Sequence, residues 1–139
     1  MTKRGSGSSE AGAPGILSVA SPFSVAETVE RLKQAIEARG MTLFAVVDHG
    51  AGARSAGLTM NDTQVLAFGN PRGGTPAMTA RPLLAIELPL KALVWDDGHG
   101  QVRVAYQDAA ELGRRYQVPA ELMTPLSGVG DLVRTALEG

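Results

Sequence analysis

Leu90-Lys91-Ala92-Leu93-Val94-Trp95, then Asp96-Asp97-Gly98-His99-Gly100, then Gln101-Val102-Arg103-Val104-Ala105-Tyr106 is the stretch that decides the fold. Two runs rich in β-branched and aromatic residues flank five residues of turn chemistry, which is the signature of a hairpin. A hairpin forces antiparallel pairing. In its second run Val102, Val104 and Tyr106 share one face. Trp95 and Tyr106 are expected as cross-strand neighbours, stabilising the sheet by about a kcal/mol or less. On an exposed face they become a dimer or ligand surface instead.

Working outward, Gly15–Ala20 reads as a first strand. Ser24 and Glu27 then form a capping box, and Val25, Val29, Leu32 and Ile36 recur at helical spacing until Gly40 stops the helix. Met41–Asp48 is apolar on both alternating faces, which predicts a central strand covered on both sides. The small residues His49–Gly57 suit a short helix packed tightly on the sheet, although its glycines weaken the helix. Thr63–Phe68 is the next strand.

On the other side of the hairpin, Asp108 and Glu111 cap a short helix over Ala109–Tyr116. A last helix runs from about Gly130 through Leu137, and Pro119 and Pro125 break the connection before it. The order of elements gives an α+β fold: an antiparallel sheet with helices packed mainly on one face.

With 139 residues the chain is one domain, residues 15–139, preceded by a Gly/Ser-rich flexible tail over 1–14. The formal net charge is −1, which argues against nucleic acid as a partner. There is no cysteine, so disulfides, thiolate catalysis and Cys-based zinc sites are excluded. No membrane-spanning segment and no signal peptide is visible, so the expected compartment is the cytoplasm.

The densest candidate site is Phe68-Gly69-Asn70-Pro71-Arg72-Gly73-Gly74-Thr75-Pro76-Ala77-Met78, read as a loop leading into a short helical turn at Pro76–Thr79; a second turn follows at Pro82–Ile86. It nearly matches a phosphate-binding P-loop, but the lysine that reaches the terminal phosphates is missing, and the reading is rejected. A weaker version remains: backbone amides after Gly73 at a helix start, aided by Arg72, holding a small anion. Alternatively, Asn70-Pro71 and Gly73-Gly74 only shape a tight connection.

His49 follows Asp48 at a strand end and is the candidate general acid or base; the plain alternative is a capping histidine at the small helix. Asp48, His49 and Asp62 lack metal-ligand spacing, so neither metal nor cofactor is expected. Asp96 and Asp97 belong to a turn rather than to a carboxylate pair for glycoside chemistry. Ser55 lacks the nucleophile-elbow context. Met41, Met60, Met78 and Met123 fill core or rim.

Three pieces of the chain carry a resemblance. They are Val47-Asp48-His49 with the small residues after it; Phe68-Gly69-Asn70-Pro71 with Gly74-Thr75-Pro76 and Met78; and Leu88-Pro89-Leu90-Lys91 running into Val94-Trp95 and Val104-Ala105-Tyr106. In these the chain resembles the bacterial and archaeal family called domain of unknown function 302, over roughly Ser21–Leu137. Gly50, Gly52 and Arg54 depart from the alanine-richer family pattern. The resemblance implies a TATA-binding-protein-like topology, strand–helix–four strands–helix, and a homodimer. It brings no activity, and likeness of topology does not carry DNA binding.

The expected function is a small-molecule or anion-binding module with its pocket between His49 and the residues Asn70, Arg72, Gly73, Gly74 and Thr75. The alternatives are a hydrolase or isomerase using His49 as acid/base, and a dimeric structural or interaction protein without a ligand.

Overall fold

The computed structural model describes residues 10–138. Six strands form one sheet: β1 (Glu10–Ala13), β2 (Ile16–Ser21), β3 (Thr42–Asp48), β4 (Thr63–Gly69), β5 (Leu90–Asp96) and β6 (Val102–Gln107). Their spatial order is β1-β2-β6-β5-β4-β3, and every neighbouring pair is antiparallel. The helices are α1 (Val25–Ala38), α2 (His49–Ser55), α3 (Pro71–Ala80), α4 (Ala109–Tyr116), α5 (Ala120–Met123) and α6 (Val129–Leu137). Two tight 3-10 turns, Pro82–Ile86 and Thr124–Leu126, complete the described residues. The α+β expectation therefore stands, with the expected order of strands and helices extended by β1.

Part of the segment 1–14 is a strand. Glu10–Ala13 pairs with β2, while residues 1–9 lie outside the described residues.

One face of the sheet carries the core. Val19, Val104 and Val94 lie in one row across β2, β6 and β5. Leu66, Ala92 and Tyr106 form the next, and Phe68 with Leu90 the one beyond. All eight are buried. Helix α1 lays Val25, Val29, Leu32 and Ile36 against them, the stripe its spacing predicts, and packs beside α6, which buries Leu132 and Val133.

The capping boxes are half realised. Ser24 accepts from the Glu27 amide and Asp108 from the Ala110 amide, but each glutamate turns to an arginine instead: Glu27 to Arg31 at 3.3 Å, Glu111 to Arg114 at 2.8 Å. On an exposed helix a guanidinium one turn away competes well with a single backbone amide.

Three expectations fail. Trp95 and Tyr106 are not neighbours: Trp95 stands opposite Arg103 and Tyr106 opposite Ala92, on opposite faces of the sheet. The second failure is larger. β3, whose apolar pattern predicts a covered central strand, is an edge strand with Phe44 51 %, Val46 37 % and Val47 46 % exposed. Helix α2 also differs from expectation, since only Gly50 of its residues is buried, so it does not pack tightly on the sheet.

Candidate functional site

β4 delivers the chain to Asn70, and there the structure departs from the sequence expectation. The glycine-rich segment is not a loop. It is the first turn of α3, which begins at Pro71. Asn70 is extended, and its side-chain oxygen accepts from the Arg72 amide at 3.0 Å. Its carbonyl accepts from the amides of Gly73 and Gly74, both at 2.9 Å. Pro71 has no N–H to offer, and its fixed φ suits the first helical position. Every amide of this turn is therefore engaged. The donors that an anion would need are spent on the helix itself.

The two glycines have different reasons to be there. A Cβ on Gly73 would stand 2.9 Å from the Pro125 Cβ, so α3 can rest on the Thr124–Leu126 turn only with a glycine at this point. A Cβ on Gly74 would meet Met78 and Leu88 at 3.6 and 3.7 Å, ordinary contact distances. Gly74 is thus not forced by packing, and its missing side chain leaves room.

That room is part of a hollow of about 210 Å³. Phe44 of β3, Met78 of α3 and Leu126 form walls, and Leu88, Pro89 and Leu90 close another side. Asn70 and Thr75 supply polar groups at its edge. The Leu88–Pro89 peptide is cis. The segment that precedes it is pinned by polar contacts. The Glu87 carboxylate accepts from the Tyr116 hydroxyl at 2.5 Å and from Arg115 at 3.3 Å. The Lys91 ammonium donates to the carbonyls of Glu87 and Pro89, both at 2.8 Å, and Gln107 donates to the Glu87 carbonyl at 2.9 Å. The hydrogen bond to Glu87 raises the Tyr116 hydroxyl above its usual range. Burial lowers Lys91, against the pull of Glu87.

Of the residues singled out from sequence, Asn70, Gly74 and Thr75 line this hollow. Gly73 faces Pro125 instead, and Arg72 is exposed and does not contribute to the lining. His49 is elsewhere. Thr42 pairs with Gly69 at one end of the β3–β4 pair and Asp48 with Gln64 at the other. At ~3.3 Å per residue, His49 and Asn70 are separated by about 20 Å. The expected convergence of the two segments does not occur.

His49 is the exposed first residue of α2. Asp48 caps that helix by accepting from the Ala51 amide at 2.9 Å, so it does not orient the imidazole. Among the described residues no group of three or more His, Asp or Glu side chains is placed to hold a metal. No helix among them is long and apolar enough to cross a membrane.

The sequence reading missed Phe44, Met78, Leu88, Pro89 and Leu126 as lining. Met78 and the Leu88-Pro89 motif drew attention through the family resemblance, and neither was read as lining.

The model of the family described as "Domain of unknown function DUF302" matches residues 17–137. The chain belongs to this family. A DUF302 protein from Bacillus stearothermophilus, solved as an uncharacterized conserved protein, has the same fold: TM-score 0.74, 17 % identity, covering 90 % of this chain and 97 % of that one. Among curated relatives, a protein of Brucella suis biovar 1 (strain 1330) named fluoride-specific ion channel FluC 1 is 42 % identical over 104 residues, 75 % of this chain and 41 % of that protein. A protein of the same name from Brucella abortus biovar 1 (strain 9-941) is 42 % identical over 104 residues and is covered to 38 %. The DUF302 chain therefore spans about two fifths of the length of these relatives.

Proposed function

We propose that this DUF302 domain is a small-molecule-binding module whose ligand occupies the hollow at the start of α3. One observation carries the proposal. Gly74 sits inside a helix, where alanine would be favoured by about 0.5–1 kcal/mol, and the surroundings would accept a methyl group there at ordinary distances. The glycine keeps open a space that the fold does not require.

The lining decides the kind of ligand. It is aliphatic and aromatic, with Asn70 and Thr75 as polar handles and no cationic side chain. A small, mainly apolar molecule with one polar end fits this better than a free anion. The volume is below the ~300–1,000 Å³ of drug-sized sites, so the ligand is small. Acid/base chemistry at His49 draws no support from the arrangement, because the residue is exposed and the neighbouring Asp48 carboxylate is spent on capping α2.

The curated relatives favour a second, compatible reading. A segment like this one forms part of chains named for fluoride channels. The domain would then work as a ligand-binding attachment beside such a channel, with a ligand other than fluoride.

Nuclear magnetic resonance titration tests both readings. Benzyl alcohol and short-chain alcohols serve as apolar probes, and sodium fluoride as the ionic one. The alcohols are expected to shift the amides of Gly74, Thr75 and Leu88. Gly74→Ala should weaken that binding at least several-fold while raising the melting temperature. Alcohol binding that is indifferent to Gly74→Ala, or absent, removes the hollow as a site. Fluoride shifts confined to the α3 start would restore the anion reading.

A further inference from the structure

Asn70 is held by its oxygen. That oxygen accepts from the Arg72 amide at 3.0 Å, and a backbone N–H can only donate, so the carboxamide is not free to turn over. Its amino group is what remains. Among the described residues that group has no protein partner, and neither has the Thr75 hydroxyl. Asn70, Gly74 and Met78 recur every fourth residue, with Thr75 beside them, so they share one side of α3. Both polar residues border the hollow.

The ionic groups nearby are committed elsewhere. Tyr116 and Arg115 hold the Glu87 carboxylate, and the carbonyls of Glu87 and Pro89 hold the Lys91 ammonium. Neither Glu87 nor Lys91 lines the hollow, and Arg72 stands outside the lining too. A charged ligand end would therefore enter apolar surroundings with no counter-charge, which costs far more than burying a neutral group.

Two donors are left for a neutral end to meet, and only the hydroxyl can also accept. A carbonyl oxygen has two lone pairs and no hydrogen of its own, so it can take a bond from each donor. An alcohol brings a hydrogen that needs an acceptor, and Thr75 can serve it only by turning its own hydrogen away. We propose that the ligand's polar end is an uncharged carbonyl oxygen, taken by the Asn70 Nδ2 and the Thr75 hydroxyl: a small ketone, ester or amide with an aliphatic tail. The proposal rests on the reading of the hollow as a ligand site and names what that site selects. Asn70 then divides its work between two atoms. Its Oδ1 starts the helix, and its Nδ2 chooses the ligand.

Asn70→Asp separates the two roles. Aspartate caps a helix as well as asparagine does, so the Arg72 amide keeps its partner while the donor is replaced by a second acceptor. 2-Pentanone and 2-pentanol share one skeleton and serve as probes in a nuclear magnetic resonance titration. The wild type is expected to bind the ketone several-fold more tightly than the alcohol. Asn70→Asp should weaken the ketone about tenfold and the alcohol less, with the melting temperature unchanged or raised. Thr75→Val, at an exposed position, should weaken the ketone several-fold. A wild type without preference for the ketone, or an Asn70→Asp that keeps its ketone affinity, overturns the carbonyl assignment. If Gly74→Ala still weakens both probes, the hollow survives as a site of different selectivity. If neither probe binds while benzyl alcohol does, the carbonyl assignment falls alone; if none of the three binds, the hollow falls with it.

Discussion

The two ends of the β3–β4 pair begin alike and finish differently. At one end Asp48 caps a helix rich in small residues; at the other, Asn70 does the same. Both side chains accept from a backbone amide of the first turn, at 2.9 and 3.0 Å. Yet α3 rests on the Thr124–Leu126 turn and borders a hollow, while α2 buries only a glycine. Local chemistry makes the two helix starts. What arrives from about 50 residues later in the chain gives one of them a buttress and a hollow.

The strongest way to break this contrast is to remove its packing. Phe68 is fully buried at the Asn70 end, and Val47 is 46 % exposed near the His49 end. Phe68→Ala should cost about 3–5 kcal/mol in urea unfolding. Val47→Ala should stay within about 0.5 kcal/mol. Equal costs would mean that the two ends are equally buried in solution.

The glycines sharpen the contrast next. Gly73→Ala drives a methyl into Pro125 and should cost about 1–3 kcal/mol by overpacking. Gly52→Ala, in α2 with nothing near its Cβ, should instead stabilise by up to about 1 kcal/mol. Thermal melts of the two variants should move in opposite directions.

The smallest effects are protonic, and they too divide by end. At the His49 end, the backbone hydrogen bond from His99 chiefly holds the Asp97 carboxyl below its usual range. A depressed acid stabilises above its ordinary value, and the gain is lost as pH falls through the folded value. The His99 and Gln101 amides, which donate to this carboxylate, should therefore loosen in acid. At the Asn70 end, Tyr116 is raised, chiefly by its hydrogen bond to Glu87. Its contribution is complete below the ordinary tyrosine range and is lost as pH rises through the folded value. Lys91 acts with the opposite sign, because the penalty on its half-buried charge is relieved as pH rises. Tyr116→Phe should abolish the alkaline loosening around Glu87 and leave the small Lys91 gain, as read by amide exchange against pH.

Elements held together by neighbours in sequence were legible. Helix α1, the β5–β6 hairpin, α4 and α6 follow from caps, turn residues and periodicity, with ends near those expected. Asn70-Pro71 was a helix start in plain view: a capping side chain followed by proline at the first position. The glycine pair masked it, because two weak helix formers outweigh a cap when no tertiary contact is visible. Contact with Pro125 reverses that balance. The place of β3 was not legible either. An apolar pattern reports that a strand wants cover, and it does not say whether the cover comes from the same chain. The hollow was only partly legible. Asn70, Gly74 and Thr75 are consecutive with the motif, whereas Leu126 and Phe44 reach it from elements 56 and 26 residues away in sequence.

The order of strands also has a consequence for synthesis. β2 pairs with β6, Ile16 with Gln107, while β3, β4 and β5 pair as a simple meander. As the chain leaves the ribosome, the meander can zip while β2 has only the short β1 beside it. Its long-range partner emerges some ninety residues later, and the gap in the middle of the sheet closes last.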